Sequence, residues 1–291
     1  MNNFLKRTVT AIMFGAVMVF GLLNGTSAFI LLLVLTVGTA IEFQHILNAD
    51  GGLVSVKPLW PALLSLLAFL FVCSLSLLWN SSFCNGTGLP LVLSASILAI
   101  AIPLFMLLEL FRRKEAPVLN MAVGMMPMMY IALPFALIYL MGCRFGTSTD
   151  SAYCGILPLA LFIFIWCNDV GAYCVGCTLG RHRLFERVSP KKSWEGSVGG
   201  AVLTVIVAAV CAVTMPDILG FLPVWVWMVT AIITVVAGTF GDLTESLIKR
   251  HLGIKDSGNI LPGHGGLLDR FDSTLMAAPA VAAFLLLYSI F

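Results

Sequence analysis

The chain has 291 residues, of which 60% are hydrophobic and only 10% charged, with a mean hydropathy of +1.03. Soluble domains carry roughly 25% charged residues, so this composition excludes a soluble globular fold. The formal net charge of +2 also argues against nucleic-acid binding, which needs a basic face able to displace counterions from phosphates.

In chain order, apolar segments long enough for a hydrocarbon core of about 30 Å run over residues 8–24, 27–47, 58–79, 89–111, 117–142, 152–175, 194–215, 222–248 and 270–291. The expected fold is all-α and integral to the membrane: a polytopic bundle of about nine transmembrane helices in a single membrane domain, 1–291. Residues 1–115 supply N-terminal helices and 116–291 the helices that carry the polar motifs. The first run follows Lys6-Arg7 without a small-x-small cleavage pattern, and reads as an uncleaved helix. Only Asn24, Gly25 and Thr26 part it from the second. Asn-Gly is a turn signal, and a single span over both runs is too long for a bilayer.

Orientation follows from positive charge, because Lys- and Arg-rich loops stay in the cytoplasm. With the amino terminus inside, Arg144 alone of the 16 Lys and Arg residues falls in an external loop. The carboxyl terminus is then external. The halves show no internal repeat and no matched Gly/Pro-broken helices, which weakens a transport reading. Met125-Met126-Pro127-Met128-Met129 reads as flexible packing around a proline rather than a soft-metal site. Eight cysteines are scattered, mostly in apolar runs as at Cys73, Cys167 and Cys211. Cys174-Val175-Gly176-Cys177 has the CxxC form without a second pair, and packing is favoured over redox or zinc chemistry. Cys84, Cys143 and Cys154 fall near external loops.

Two cytoplasmic windows, Arg181–Glu195 and Lys249–Asp272, hold 14 of the 30 charged residues. Solvated loops anchored by lysine account for the cations, but not for the carboxylates that run into the helices. Asp169 lies in the sixth span, Asp242 and Glu245 in the eighth, and Asp269 and Asp272 open the ninth. A charge at such depth costs on the order of 3 kcal/mol, so these groups should pair, line a wet cavity or bind an ion. Asp242 and Glu245 are three apart, as are Asp269 and Asp272, which puts each pair on one helix face. Carboxylates without His or Cys at ligand spacing favour Mg²⁺ over zinc. Between Lys249 and Asp272 stand five glycines, and Gly263-His264-Gly265-Gly266 just before a helix suits a phosphate-cradling loop. It is not a Walker A sequence, and an unspecific interfacial loop has the same composition.

Ser246 to Asp272, SLIKRHLGIKDSGNILPGHGGLLDRFD, closely resembles the signature of the phosphatidate cytidylyltransferases, or CDP-diglyceride synthases. A second block agrees: Asp169-Val170-Gly171-Ala172-Tyr173, Gly176, Gly180, then Ser189-Pro190-Lys191-Lys192-Ser193-Trp194-Glu195-Gly196 and Gly199-Gly200. Ile41-Glu42-Phe43 also resembles the family's second helix. Cys177 stands where the family often has a basic residue, and Ser193 where threonine is common.

The resemblance implies transfer of CMP from CTP to phosphatidic acid, giving CDP-diacylglycerol and pyrophosphate, at the cytoplasmic face of the inner (plasma) membrane. It implies Asp242 and Asp269 as metal ligands, with Asp272 and Glu245 in support, holding Mg²⁺ and a second cation such as K⁺. Lys249, Arg250, Lys255, His264 and Arg270 join the aspartates as catalytic candidates. Lys192, Ser193, Ser246, Asp256, Gly265, Gly266 and Asp169 are the substrate-binding candidates. His264 is open between protonating the leaving pyrophosphate and orienting the loop. CTP, phosphatidic acid and membrane lipids are the expected partners, with no nucleic acid, and a homodimer is implied. A CTP-dependent transferase with another lipid acceptor and a cation-coupled transporter are the alternatives.

Overall fold

The computed structural model describes residues 3–48, 54–78, 89–112, 114–145, 153–258, 260 and 265–290. Its helices in chain order are α1 (Asn3–Leu23), α2 (Gly25–Asn48), α3 (Leu59–Ser74), α4 (Leu89–Phe111), α5 (Pro117–Pro127), α6 (Leu133–Arg144), α7 (Ile156–Leu179), α8 (Trp194–Thr214), α9 (Pro216–Leu219), α10 (Val224–His251) and α11 (Leu268–Tyr288). Strands β1 (Arg183–Phe185) and β2 (Ser189–Ser193) stand between α7 and α8. The chain is an all-α, multi-pass membrane protein. Among the described residues seven helical runs are long and apolar enough to cross a bilayer, and two shorter apolar helices, Thr8–Leu23 and Leu59–Ser74, accompany them.

The β1–β2 hairpin, with strands of three and five residues, is a short addition to this all-α fold. It is antiparallel, with Arg183 opposite Ser193 and Phe185 opposite Ser189. The strands are too short for an alternating pattern to stand out from a charged loop.

The chain divides into two compact units. The first comprises Met1–Gly155 with Asp256–Arg270. The turn expected between its first two helices is present: the Asn24 side-chain oxygen accepts from the Thr26 amide at 2.9 Å, the capping role for which asparagine is favoured. A core of Val54, Val56, Leu64 and Phe105 is flanked by Met125 and Met128, so these two of the methionine stretch serve packing, while Met126 and Met129 are exposed. From Met128 to Ala132 the run between α5 and α6 widens into a π stretch, where the Leu133 amide bonds to the Met128 carbonyl. Pro134 next in line has no N–H to continue the ordinary ladder, and one wide turn absorbs that loss. Cys143 and Cys154 are free thiols; Cys84 lies outside the described residues.

The second unit comprises Ile156–Lys255 with Phe271–Phe291. Here α7 and α8 approach backbone to backbone: a Cβ on Gly171 would press on the Gly200 Cα, and one on Gly200 would meet the Asn168 carbonyl. Helix α10 ends in a Schellman motif. The Ile254 amide bonds to the Lys249 carbonyl and Gly253 to Arg250, with Gly253 at a φ of 67°. Glycine occupies that left-handed position without the strain a Cβ brings. The helix therefore stops directly after Lys249, Arg250 and His251, cations that its C-terminal dipole favours.

Candidate active site

In the second unit Asp272 of α11 lies within electrostatic reach of Asp242 on α10 and Asp169 on α7. Gly241 is the reason α10 and α11 meet so closely, since a Cβ there would collide with the Asp272 carbonyl and the Ser273 backbone. That contact sets Asp242, next on α10, beside Asp272 of α11. Asp242, Asp169 and Lys192 are the charged groups whose fields act on Asp272, and Asp272 Oδ1 accepts from the Ser273 amide at 2.5 Å. The Asp242 carboxylate is held on both oxygens. Oδ2 pairs with the Lys192 ammonium, and Oδ1 accepts from the Ser246 hydroxyl at 3.2 Å, one helical turn on.

The hairpin delivers Lys192 to this cluster. Ser193 closes β2 and caps α8, its hydroxyl oxygen accepting from the Gly196 amide at 3.2 Å. Glu195 turns back over the hairpin's start: it accepts from the Arg181 amide at 3.1 Å and the His182 amide at 3.2 Å, and its Oε1 pairs with His182 Nδ1 at 2.5 Å. Beside this clamp is a cavity of about 470 Å³, lined among others by Asp169, Tyr173, Cys177, Arg183, Lys191 and Lys192. Ligand pockets commonly enclose about 300–1,000 Å³. Cys174 and Cys177 lie exposed on α7.

The rest of the α10 motif is occupied otherwise. Glu245 is fully buried and pairs with Lys249 at 2.6 Å. A lysine one turn on neutralises a carboxylate that is expensive to bury alone. Arg250 donates to the Ile254 carbonyl at 3.4 Å, within the C-terminal cap, and Lys255 is exposed.

In the first unit the glycine-rich segment shows a different use of carboxylates. Asp269 Oδ2 accepts from the amides of Ser257 and Gly266, both at 2.9 Å. Glu42 of α2, only 5% exposed, accepts from the Ser257 hydroxyl at 2.5 Å, the Leu267 amide at 2.8 Å and the Leu268 amide at 3.0 Å. Gly265 has a φ of 81°. A Cβ on Gly266 would fall inside the van der Waals surfaces of Glu42 and the Ser257 hydroxyl. Of the amides that the sequence offers to a phosphate, that of Gly266 is met by the protein's own Asp269, and the next two, of Leu267 and Leu268, by Glu42. Asp256 and Arg270 are exposed at either end of this segment, and His264 lies outside the described residues.

Glu42 and the His182–Glu195 clamp had no role assigned from sequence. A lone carboxylate inside an apolar span marks Glu42, and a Ser followed by Glu at a helix start marks the clamp. Among the described residues no group of three or more His, Cys, Asp or Glu side chains is disposed to cage a metal. Asp242 and Asp272 nevertheless suit Mg²⁺, which is ordinarily held by one or two carboxylates together with waters and substrate phosphates.

Similarity to known proteins extends over most of the chain. The model of the cytidylyltransferase family matches residues 5–288. Similar proteins include the phosphatidate cytidylyltransferase of Staphylococcus haemolyticus, 38% identical over 162 residues that cover 55% of this chain and 57% of the relative. That of Bacillus subtilis is 44% identical over 130 residues, 44% of this chain and 46% of the relative. That of Staphylococcus aureus is 43% identical over 122 residues, 42% and 45%. The chain spans about half the length of the curated relatives it matches.

Proposed function

The chain belongs to the cytidylyltransferase family, and on that premise we propose that it transfers CMP from CTP to phosphatidic acid, giving CDP-diacylglycerol and pyrophosphate. The observation that carries the reading is the Lys192–Asp242 pair, with Asp272 and Asp169 beside it, at a cavity lined by Arg183 and Lys191. Cations and carboxylates mixed in this way suit a triphosphate together with its counter-cation, whereas an ion pathway has no need of the basic hairpin.

A phosphatidate oxygen attacks the α-phosphorus of CTP; a new P–O bond forms there and the bond to the β-phosphate breaks, releasing pyrophosphate. The nucleophile is already anionic, so little base catalysis is required. Repulsion between two phosphates is the obstacle, and fixed positive charge is the remedy. Lys192, Lys191 and Arg183 receive the triphosphate, Tyr173 offers an aromatic surface to the base, and Asp242 and Asp272 hold the metal. Asp269 is the further carboxylate that the signature contributes. Bound Mg²⁺ supplies charge neutralisation on the phosphate oxygens. For the membrane we place the amino terminus in the cytoplasm and count Thr8–Leu23 and Leu59–Ser74 as crossings, nine in all.

The test is purified full-length protein with labelled CTP and a panel of acidic lipids, with and without Mg²⁺. A CDP-lipid formed from phosphatidate, and lost without Mg²⁺, is expected. Product from a different lipid phosphate alone moves the acceptor, and cation flux into proteoliposomes without CTP consumption replaces the enzyme with a transporter.

A further inference from the structure

Three donors converge on one buried carboxylate at the glycine-rich segment, and only one of them is a side chain. Glu42 takes the Leu268 amide and the Ser257 hydroxyl on Oε1 and the Leu267 amide on Oε2. The Ser257 hydroxyl oxygen in turn accepts from the Asp269 amide at 3.4 Å, and the Ser257 amide donates to Asp269 Oδ2. Glu42 and Asp269 are therefore linked through one serine, and between them they meet the amides of Gly266, Leu267 and Leu268, the groups that open α11. The first amides of a helix have no partner within it and attract an anion. Here that anion is a side chain from α2, more than 200 residues away in the sequence. The glycines fit this arrangement: Gly258 and Gly266 lie where a Cβ would press on the Glu42 carboxylate, and one on Gly265 would press on Asp269.

The geometry points to Glu42 as a positioning residue, a latch that fixes Ser257, Asp269 and the start of α11 in the shape the proposed transfer needs. Glu42 acts through Ser257 and the amides of α11, and touches no substrate. The inference rests on the reading of the function given above.

Glu42→Gln is the direct test, because it keeps the shape of the side chain but leaves one acceptor oxygen where there were two. Full-length protein in nanodiscs is followed by amide hydrogen exchange and by CTP turnover. Exchange at Leu267 and Leu268 should quicken about tenfold to a hundredfold, the range for losing a hydrogen bond to a charged group, with the rest of α2 unchanged. The kcat should fall at least about tenfold while KM for CTP stays within about twofold. Ser257→Ala, which removes a single donor, should move both readouts less, and combined with Glu42→Gln should add less than its separate effect. Should Glu42→Gln fail to fold, Ser257→Ala decides alone, through locally faster exchange and a lowered kcat. Faster exchange with unchanged kcat overturns the inference, as does unchanged exchange or a loss of protection spread over the whole chain. If the wild-type protein shows no turnover, the proposed function falls, and the exchange arm still decides whether Glu42 holds the segment.

Discussion

Asp242 and Glu42 are both carboxylates set into apolar helices, and they are used in opposite ways. Glu42 faces backbone amides and one hydroxyl, groups fixed by the fold. Asp242 faces the ammonium of Lys192, a point charge on a flexible stem, beside a cavity that also takes Lys191 and Arg183. A carboxylate bound to amides has little to exchange for. One bound to a lysine can trade that partner for a metal when the lysine moves to a phosphate. The partner, rather than the depth or the residue type, separates the carboxylate that shapes the site from the one offered to chemistry.

The sharpest way to break this contrast is Asp242→Asn. Loss of the charge should lower kcat at least about a hundredfold, in line with the several kcal/mol that a metal contributes to phosphoryl charge stabilisation, while amide exchange at Gly266, Leu267 and Leu268 stays at the wild-type rate. Steady-state kinetics and exchange on the same preparation check both halves. Asp242→Asn that keeps its activity removes the metal assignment. Lys192→Ala comes next. If the lysine leaves Asp242 for the triphosphate, KM for CTP should rise about tenfold to a hundredfold, the scale of a charge-assisted hydrogen bond, and Lys192→Arg should recover part of it. An unchanged KM leaves Lys192 as a counter-charge to Asp242 and nothing more.

Gly265→Ala probes the other side of the contrast. At a φ of 81° an alanine is strained by about 1–2 kcal/mol, and its Cβ would press on Asp269. Local exchange at Gly266 should quicken about tenfold, with KM for CTP held, since Gly265 is not among the residues that line the cavity. A raised KM with normal exchange would instead return the glycine loop to the phosphate-cradling role that its composition suggests.

Much of the helical order was legible because apolar runs of membrane length leave little choice of structure. The turn at Asn24 and the packing role of Met125 and Met128 follow from residue chemistry alone. Two things were not. The hairpin that carries Lys192 has strands of three and five residues, and in sequence it is a charged loop with a proline. The division of labour within each carboxylate pair was hidden as well. Spacing puts Asp242 with Glu245 and Asp269 with Asp272, but partners decide the outcome: Lys249 takes Glu245, and Ser257 and Gly266 take an oxygen of Asp269. The Glu245–Lys249 pair lies within the reach of helix spacing, but the partners of Asp269 come from packing, which no periodicity records. Glu42 shows the same limit, for its donors lie more than 200 positions away.

The smallest expected effect separates two meanings of Ser246. The resemblance to the family signature makes it a substrate-binding candidate, yet its hydroxyl donates to Asp242 Oδ1 at 3.2 Å, within one helix and at the long end of the hydrogen-bond range. Used in that way, it orients a carboxylate that Lys192 already holds on its other oxygen. Ser246→Ala should then remove one hydrogen bond worth about 1 kcal/mol, and kcat/KM should fall about fivefold, with the Mg²⁺ concentration for half-maximal rate rising by a similar factor. A direct bond to CTP or the lipid phosphate would give a different pattern, with KM for that substrate alone rising and the Mg²⁺ requirement unchanged. Titrating Mg²⁺ at saturating CTP and phosphatidate distinguishes the two, because only a serine that acts through Asp242 ties the metal requirement to its own hydroxyl.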